Sequence, residues 1–284
     1  MVKWNFFLDT GFDFLTVVER INPYLMVITF YSLLYLIFYY PRQERPAKTA
    51  TLLEKVQFEI IQHRTLPLVM SIFTGLFLVA HFAAWNFQNN PDLKWSLLFF
   101  ANEFNLDNEK VLPAYYSGML LLTAAGGIGI IFAHQLRRKG AYLFQWALLS
   151  LIFIFMAADE VLQIHEFWSF PALNFSDFYF SWVPVALLLI ALIGLLYFKF
   201  FFSLPNRSKL LFFIAAGLYL GGALGMEMVS GNYMATFNEW GFDYWRLVAV
   251  EETLEMAGVT FFVFALQDLI QRIHQNPGYL NTQY

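Results

Sequence analysis

Residues 179–202 read YFSWVPVALLLIALIGLLYFKFFF, a run whose single charge, Lys199, lies near one end. A helix crosses a membrane with about 20 mostly apolar residues, because the hydrocarbon core is roughly 30 Å thick and each residue rises about 1.5 Å. This run meets that length and shows no polar face, so its natural solvent is lipid. Working outward from it, six further stretches qualify, at 23–40, 66–88, 112–135, 141–166, 208–230 and 245–271. The fourth, sixth and seventh spans in chain order carry acids near one end, which weakens them in a plain hydropathy window. The expected fold is all-α: one membrane domain over residues 1–284, built as a bundle of seven transmembrane helices.

Composition agrees. Hydrophobic residues make up 59% of the 284 and charged residues 13%, with a mean hydropathy of +0.53. Globular domains hold about 45–50% and about 25%. These values exclude a water-soluble domain, a disordered chain and a nucleic-acid binder. The chain has no Cys, which excludes a disulfide, a thiolate zinc site, a cysteine-ligated iron–sulfur cluster and a cysteine nucleophile.

Basic residues set the expected orientation. Twelve of the 17 Lys and Arg fall in the loops after the first, third and fifth spans and in the C-terminal tail. An excess of this kind marks the cytoplasmic side. The N-terminus is then outside and the C-terminus cytoplasmic, as an odd number of spans requires. Residues 1–20 lack the apolar run of a signal peptide and are expected to lie at the outer interface, and 47–63 as an interfacial helix on the cytoplasmic face. The outer loop 89–111, with Trp95, Leu97, Leu98, Phe99 and Phe100, is expected to lie on the membrane as well. Gly217, Gly221 and Gly225 share one face of the sixth span and are expected to admit a neighbouring helix closely.

The residues that carry chemistry are acids inside apolar spans, where a charge costs several kcal/mol and normally faces the bundle interior with a task. The fourth span ends with Asp159, Glu160, Gln163, His165 and Glu166, the sixth with Glu227, and the seventh opens with Glu251, Glu252 and Glu255. His81 lies in the second span. Asp159 is 18 residues past Ala141 and Glu227 is 18 past Lys209, which places both roughly 27 Å from the cytoplasmic edge at about 1.5 Å per residue. His81 is then roughly 21 Å from that edge, and Glu251 and Glu255 roughly 9 and 15 Å below the outer one. Four spans therefore converge in depth on the outer half of the membrane. At about 100° per residue, Asp159, Gln163 and Glu166 share a face, as do Glu251 and Glu255.

So many carboxylates stay together in low dielectric only if protons or cations neutralise them. Several carboxylates with one or two imidazoles suit a divalent metal ion, Mn, Fe or Ca rather than Zn, as one ion or a dinuclear pair. On this reading Asp159, His165, Glu166, Glu251, Glu255 and His81 are ligands, while Glu160, Glu252 and Glu227 support them or act as general base. The di-iron spacing Glu-x-x-His of carboxylate bundles is absent, since His165 follows Glu160 by five. Retinal is excluded because no Lys follows Lys209, and no Walker, G-x-S-x-G or dinucleotide motif occurs.

The segments Asp159-Glu160 through His165-Glu166 (DE-x4-HE) and Glu251-Glu252 through Gly258 (EE-x2-EM-x-G) resemble motifs of bacterial multi-pass inner-membrane proteins. The stretch from Phe104 to Ser117 resembles their outer loop and draws Glu109 and Ser117 towards the site. The resemblance implies a bacterial inner membrane and carries no activity with it. Seven-helix membrane hydrolases of the ceramidase type are similar in helix number only, since their His-rich metal pattern is missing. The leading functional expectation is a metal-dependent enzyme acting on a lipid or apolar substrate that enters from the bilayer. The alternatives are a cation or proton transporter using the same acids, and a non-catalytic subunit of a membrane complex.

Overall fold

In lipid every backbone polar group must find its partner within the chain, which leaves a long apolar segment only the helix. The computed structural model describes residues 65–88, 95–162, 164 and 183–280, and these form helices and short connections with no strand among them. The helices are Thr65–Gln88 (α1), Trp95–Glu103 (α2), Leu112–Arg137 (α3), Leu143–Leu162 (α4), Val183–Ser203 (α5), Asn206–Leu220 (α6), Glu227–Phe237 (α7) and Phe242–Gln275 (α8). A π-helical turn, Gly221–Met226, joins α6 to α7, so Asn206–Phe237 is one rod. The span at 23–40, the segments 1–20 and 47–63, and Gln163, His165 and Glu166 lie outside the described residues.

Local chemistry sets the ends. Extended Val111 precedes α3, and Pro113 stands in its first turn, where a missing N–H costs nothing. Asn238, in the left-handed region at φ 47°, ends α7. Five helices are long and apolar enough to cross a membrane: Leu66–Gln88, Leu112–Arg137, Leu143–Leu162, Val185–Ser203 and Asn206–Phe237. They coincide with the second to sixth expected spans. The seventh is a helix too, α8, Phe242–Gln275, though it is not one of those five.

Inside out, α8 is the axis of the bundle. Met256, Val259, Val263, Leu266, Leu269 and Ile273 are buried along it, against α3, α6, α1 and the π turn. Helix α3 lies between α8 and α4, with Leu120, Ala124, Ile128 and Ile131 buried. Outward-facing positions are apolar: Leu195 is 75% exposed, Val79 69% and Phe237 63%. An apolar surface on this scale needs lipid, not water, around it.

Between helices in lipid, close van der Waals packing replaces the hydrophobic drive. It occurs at two glycines. A Cβ on Gly222 would stand 2.7 Å from the Glu251 main-chain oxygen, and one on Gly258 would stand 2.5 Å from the Tyr219 nitrogen. Among the described residues the face of Gly217, Gly221 and Gly225 meets no neighbouring helix: Gly217 and Gly221 have nothing within 4 Å, and Gly225 meets the Leu220 oxygen of its own rod. The π turn spends an extra residue per turn and presents Gly222 to α8. At the opposite end of the bundle, buried Asp268 accepts hydrogen bonds from Arg207 (3.0 and 3.2 Å) and Arg272 (2.8 Å), tying the start of α6 to the end of α8.

Helix α5 stands off from the described bundle and is pinned near its C-terminal end. There the Tyr197 hydroxyl donates to the Gln145 carbonyl at 2.8 Å, and Phe200 meets Trp146 edge-on at 4.8 Å. The gap beside α5 becomes the site.

Candidate functional site: an acid-ended membrane cavity

A cavity of about 1180 Å³ lies between α4, α5, the α6–α7 rod and α8, and the α2–α3 loop covers one end. That end is acidic. Asp107 and Glu109 come from the loop, Asp159 and Glu160 from the last turns of α4, Glu227 from the first residue of α7, and Glu251, Glu252 and Glu255 from α8. The remainder is apolar, with Leu149, Phe153 and Met156 on α4, Ile190, Ile193 and Phe200 on α5, and Phe212 on α6.

The carboxyl groups of Glu227 and Glu251 lie within hydrogen-bonding reach of each other. The Ser230 hydroxyl sits 3.2 Å from both the Glu227 main-chain oxygen and the Glu251 carboxylate, so the first turn of α7 carries Glu227 and holds Glu251 beside it. The Tyr219 ring stands where the charges of Glu255, Glu160, Glu252 and Asp159 all act on it. It can be there because Gly258 lets the α6 backbone approach α8.

The loop is built from its own amides. The Asn105 carboxamide oxygen accepts the Asp107 N–H at 3.1 Å, and its nitrogen donates to Asn108 at 3.1 Å. Asn108 in turn donates to the Asn102 carbonyl at 3.0 Å. This aims Asp107 at Tyr244, whose hydroxyl donates to it at 3.0 Å. Asp107 opens onto the cavity, but the protein packed around its other sides pushes its carboxyl above the ordinary value of 3.8. The Tyr244 bond opposes that rise, and the neighbouring Glu227 adds to it.

Of the sequence-derived candidates, Asp159, Glu160, Glu227, Glu251, Glu252 and Glu255 line this one cavity. His81 is not among the lining residues. It is fully buried beside Trp245, stacked at 4.3 Å. Its Nδ1 accepts the Leu106 N–H at 3.0 Å, which leaves the proton on Nε2 to donate to the Trp245 carbonyl at 3.1 Å. With both nitrogens engaged, His81 binds a metal only if one of these bonds opens. Glu109 lines the cavity, whereas Ser117 is buried on α3 with no hydrogen-bond partner for its hydroxyl. Among the described residues no three acidic or histidine side chains are grouped as metal ligands. A cation drawn into the cluster would have to turn these side chains towards one another.

Sequence reasoning missed Asp107, Tyr219, Ser230 and Tyr244. Ser230 had a signal, standing three residues after Glu227 and so on the same helix face. Tyr219 and Tyr244 had none, since aromatic residues are ordinary in such spans.

Fold and site together define an integral membrane protein of several spanning helices with a carboxylate-ended internal cavity. Residues 70–269 match the family described as a domain of unknown function, DUF8692, and the chain belongs to that family. No curated protein and no solved structure matches it.

Proposed function

We propose that the protein is a membrane enzyme whose acid cluster holds one or two divalent cations and acts on a lipid or apolar substrate entering from the bilayer. The observation that carries this reading is the continuity of eight carboxyl-bearing side chains with an apolar space running beside α5 in a single cavity. An apolar cavity with a few convergent polar groups is the usual form of a small-molecule site. Here the cation would serve as Lewis acid or water activator. Asp159, Glu251 and Glu255 are the described acids in the ligand role, with Glu160, Glu252 and Glu227 supporting them or taking a proton from water. Metal analysis of gently purified protein tests this. We expect at least stoichiometric Mn, Fe or Ca, and less than a tenth of an equivalent of any metal would sink the reading.

The same proposal includes seven spans, an outward-facing acid end and a bacterial inner membrane, supported by the basic residues at the opposite end, among them Arg207, Lys209 and Arg272. The absence of Cys makes labelling clean. Lys139→Cys should label only from the cytoplasm and Asp107→Cys only from outside. Labelling of the latter from the cytoplasm would reverse the orientation.

A further inference from the structure

We infer that the cavity is a binding site for a long-chain amphiphile whose head carries net positive charge, lying chain-inward beside α5 with its head among the acids. The inference deepens the reading of the cavity as a substrate site and does not depend on a bound metal.

Charge selects the head. The described lining holds eight carboxyl-bearing residues and no Lys, Arg or His. The carboxyls come from separate elements, so the negative end is a property of the assembled bundle rather than of one helix. A phosphate- or sulfate-headed lipid would meet like charge there, in a low-dielectric setting where repulsion is strong. A cationic head would be drawn in and would relieve the crowding of Glu251, Glu252 and Glu255 on α8.

Shape selects the chain. On α5 the lining runs from Ala186 to Phe201, roughly 22 Å at about 1.5 Å per residue. Leu149, Ile152, Phe153 and Met156 on α4, Ile190 and Ile193 on α5 and Phe212 and Ala216 on α6 all line this part of the cavity, so the space between the three helices is an apolar slot. At its far end Phe200 is clasped by Trp146 at 4.8 Å, Tyr142 at 5.6 Å and Tyr197 at 5.6 Å. An alkyl chain fills such a slot, whereas a compact polar solute would leave it empty.

The test uses the full-length protein in lipid nanodiscs with a hexadecylamine bearing a photoreactive diazirine at the chain end, followed by peptide mapping. Adducts are expected on Leu149, Phe153 and Phe212. The corresponding hexadecyl sulfate should label at least tenfold less. Unlabelled alkylamines, compared at equal mole fraction in the bilayer, should compete less well once the chain is too short to fill the slot, because van der Waals contacts with its walls are lost. Ala216→Trp, which fills the slot, should cut labelling at least tenfold, and Ile193→Trp serves if the first variant does not fold. Glu252→Gln with Glu255→Gln should weaken capture of the amine but not of the hexadecanol analogue. Labelling should survive chelation of metal. Equal labelling by amine and sulfate, adducts confined to the outward Leu188 and Leu195, or indifference to the slot-filling variants would overturn the inference. Loss of labelling on chelation would overturn it too. A metal-free protein that still captures the amine would sink the metal reading alone.

Discussion

Gly222 rests on Glu251: a methyl group on its α-carbon would stand 2.7 Å from the Glu251 main-chain oxygen and 2.7 Å from Cγ of Glu255. The acids of α8 therefore reach the cavity across a near-contact of two backbones. Gly222→Ala must push the rod away from α8, at a cost of about 1–3 kcal/mol typical of overpacking. Gly217→Ala meets nothing within 4 Å and should be neutral or stabilising by up to about 1 kcal/mol, since Gly is the poorer helix former. Melting in detergent compares the two, and equal losses would refute the contact.

His81 supports the loop that carries Asp107 and Glu109, through its bond to the Leu106 N–H. His81→Ala strands that buried amide and removes the stacked ring from Trp245, for a loss of about 2–4 kcal/mol. Metal content should not change, because both ring nitrogens are already engaged with backbone. A variant of near-normal stability that lost its metal would place His81 in the ligand set after all.

Neutralising one acid separates the cation reading from a protonated cluster. Glu255→Gln replaces a carboxyl crowded by Glu252, Glu160 and Glu227 with a neutral amide. In chelator the variant should melt higher than wild type, by an amount on the order of 1–2 kcal/mol. With Mn at about a hundred times its Kd, wild type should gain about 2.7 kcal/mol by mass action and the variant much less. Identical gains would remove Glu255 from any cation site. A double change with Asp159→Ala should cost less than the two losses summed if both hold one cation.

Asp107 ties the cavity to pH. Its carboxyl is raised above the ordinary 3.8, chiefly by burial, so the folded chain holds this proton at pH values where the unfolded chain has released it. Stability then falls as pH rises through the window between the two values. Asp107→Asn should flatten that fall, whereas Tyr244→Phe, which removes the bond that favours the charged form, should widen the window. Melting temperatures across the acidic range give the comparison. A steeper fall in the Asn variant would contradict the assignment.

The sequence alone marked the second to sixth spans, the second and third of them nearly to the residue. The expected 66–88 appears as Leu66–Gln88 and 112–135 as Leu112–Arg137, because lipid demands a fixed length of apolar chain and leaves the backbone no other way to bond. It also marked Asp159, Glu160, Glu227, Glu251, Glu252 and Glu255, since an acid in an apolar run is conspicuous against its neighbours. What it could not determine was azimuth. The π turn rotates the rod so that Gly222, and not Gly217 or Gly221, meets α8. Tyr219 enters the acid cluster only through the gap that Gly258 leaves. His81 could have faced a metal or a main chain, and only the fold of the α2–α3 loop decided for the Leu106 amide. Helical spacing fixes which residues share a face, but which face meets which neighbour is set by packing between helices, and that exists only in the assembled bundle.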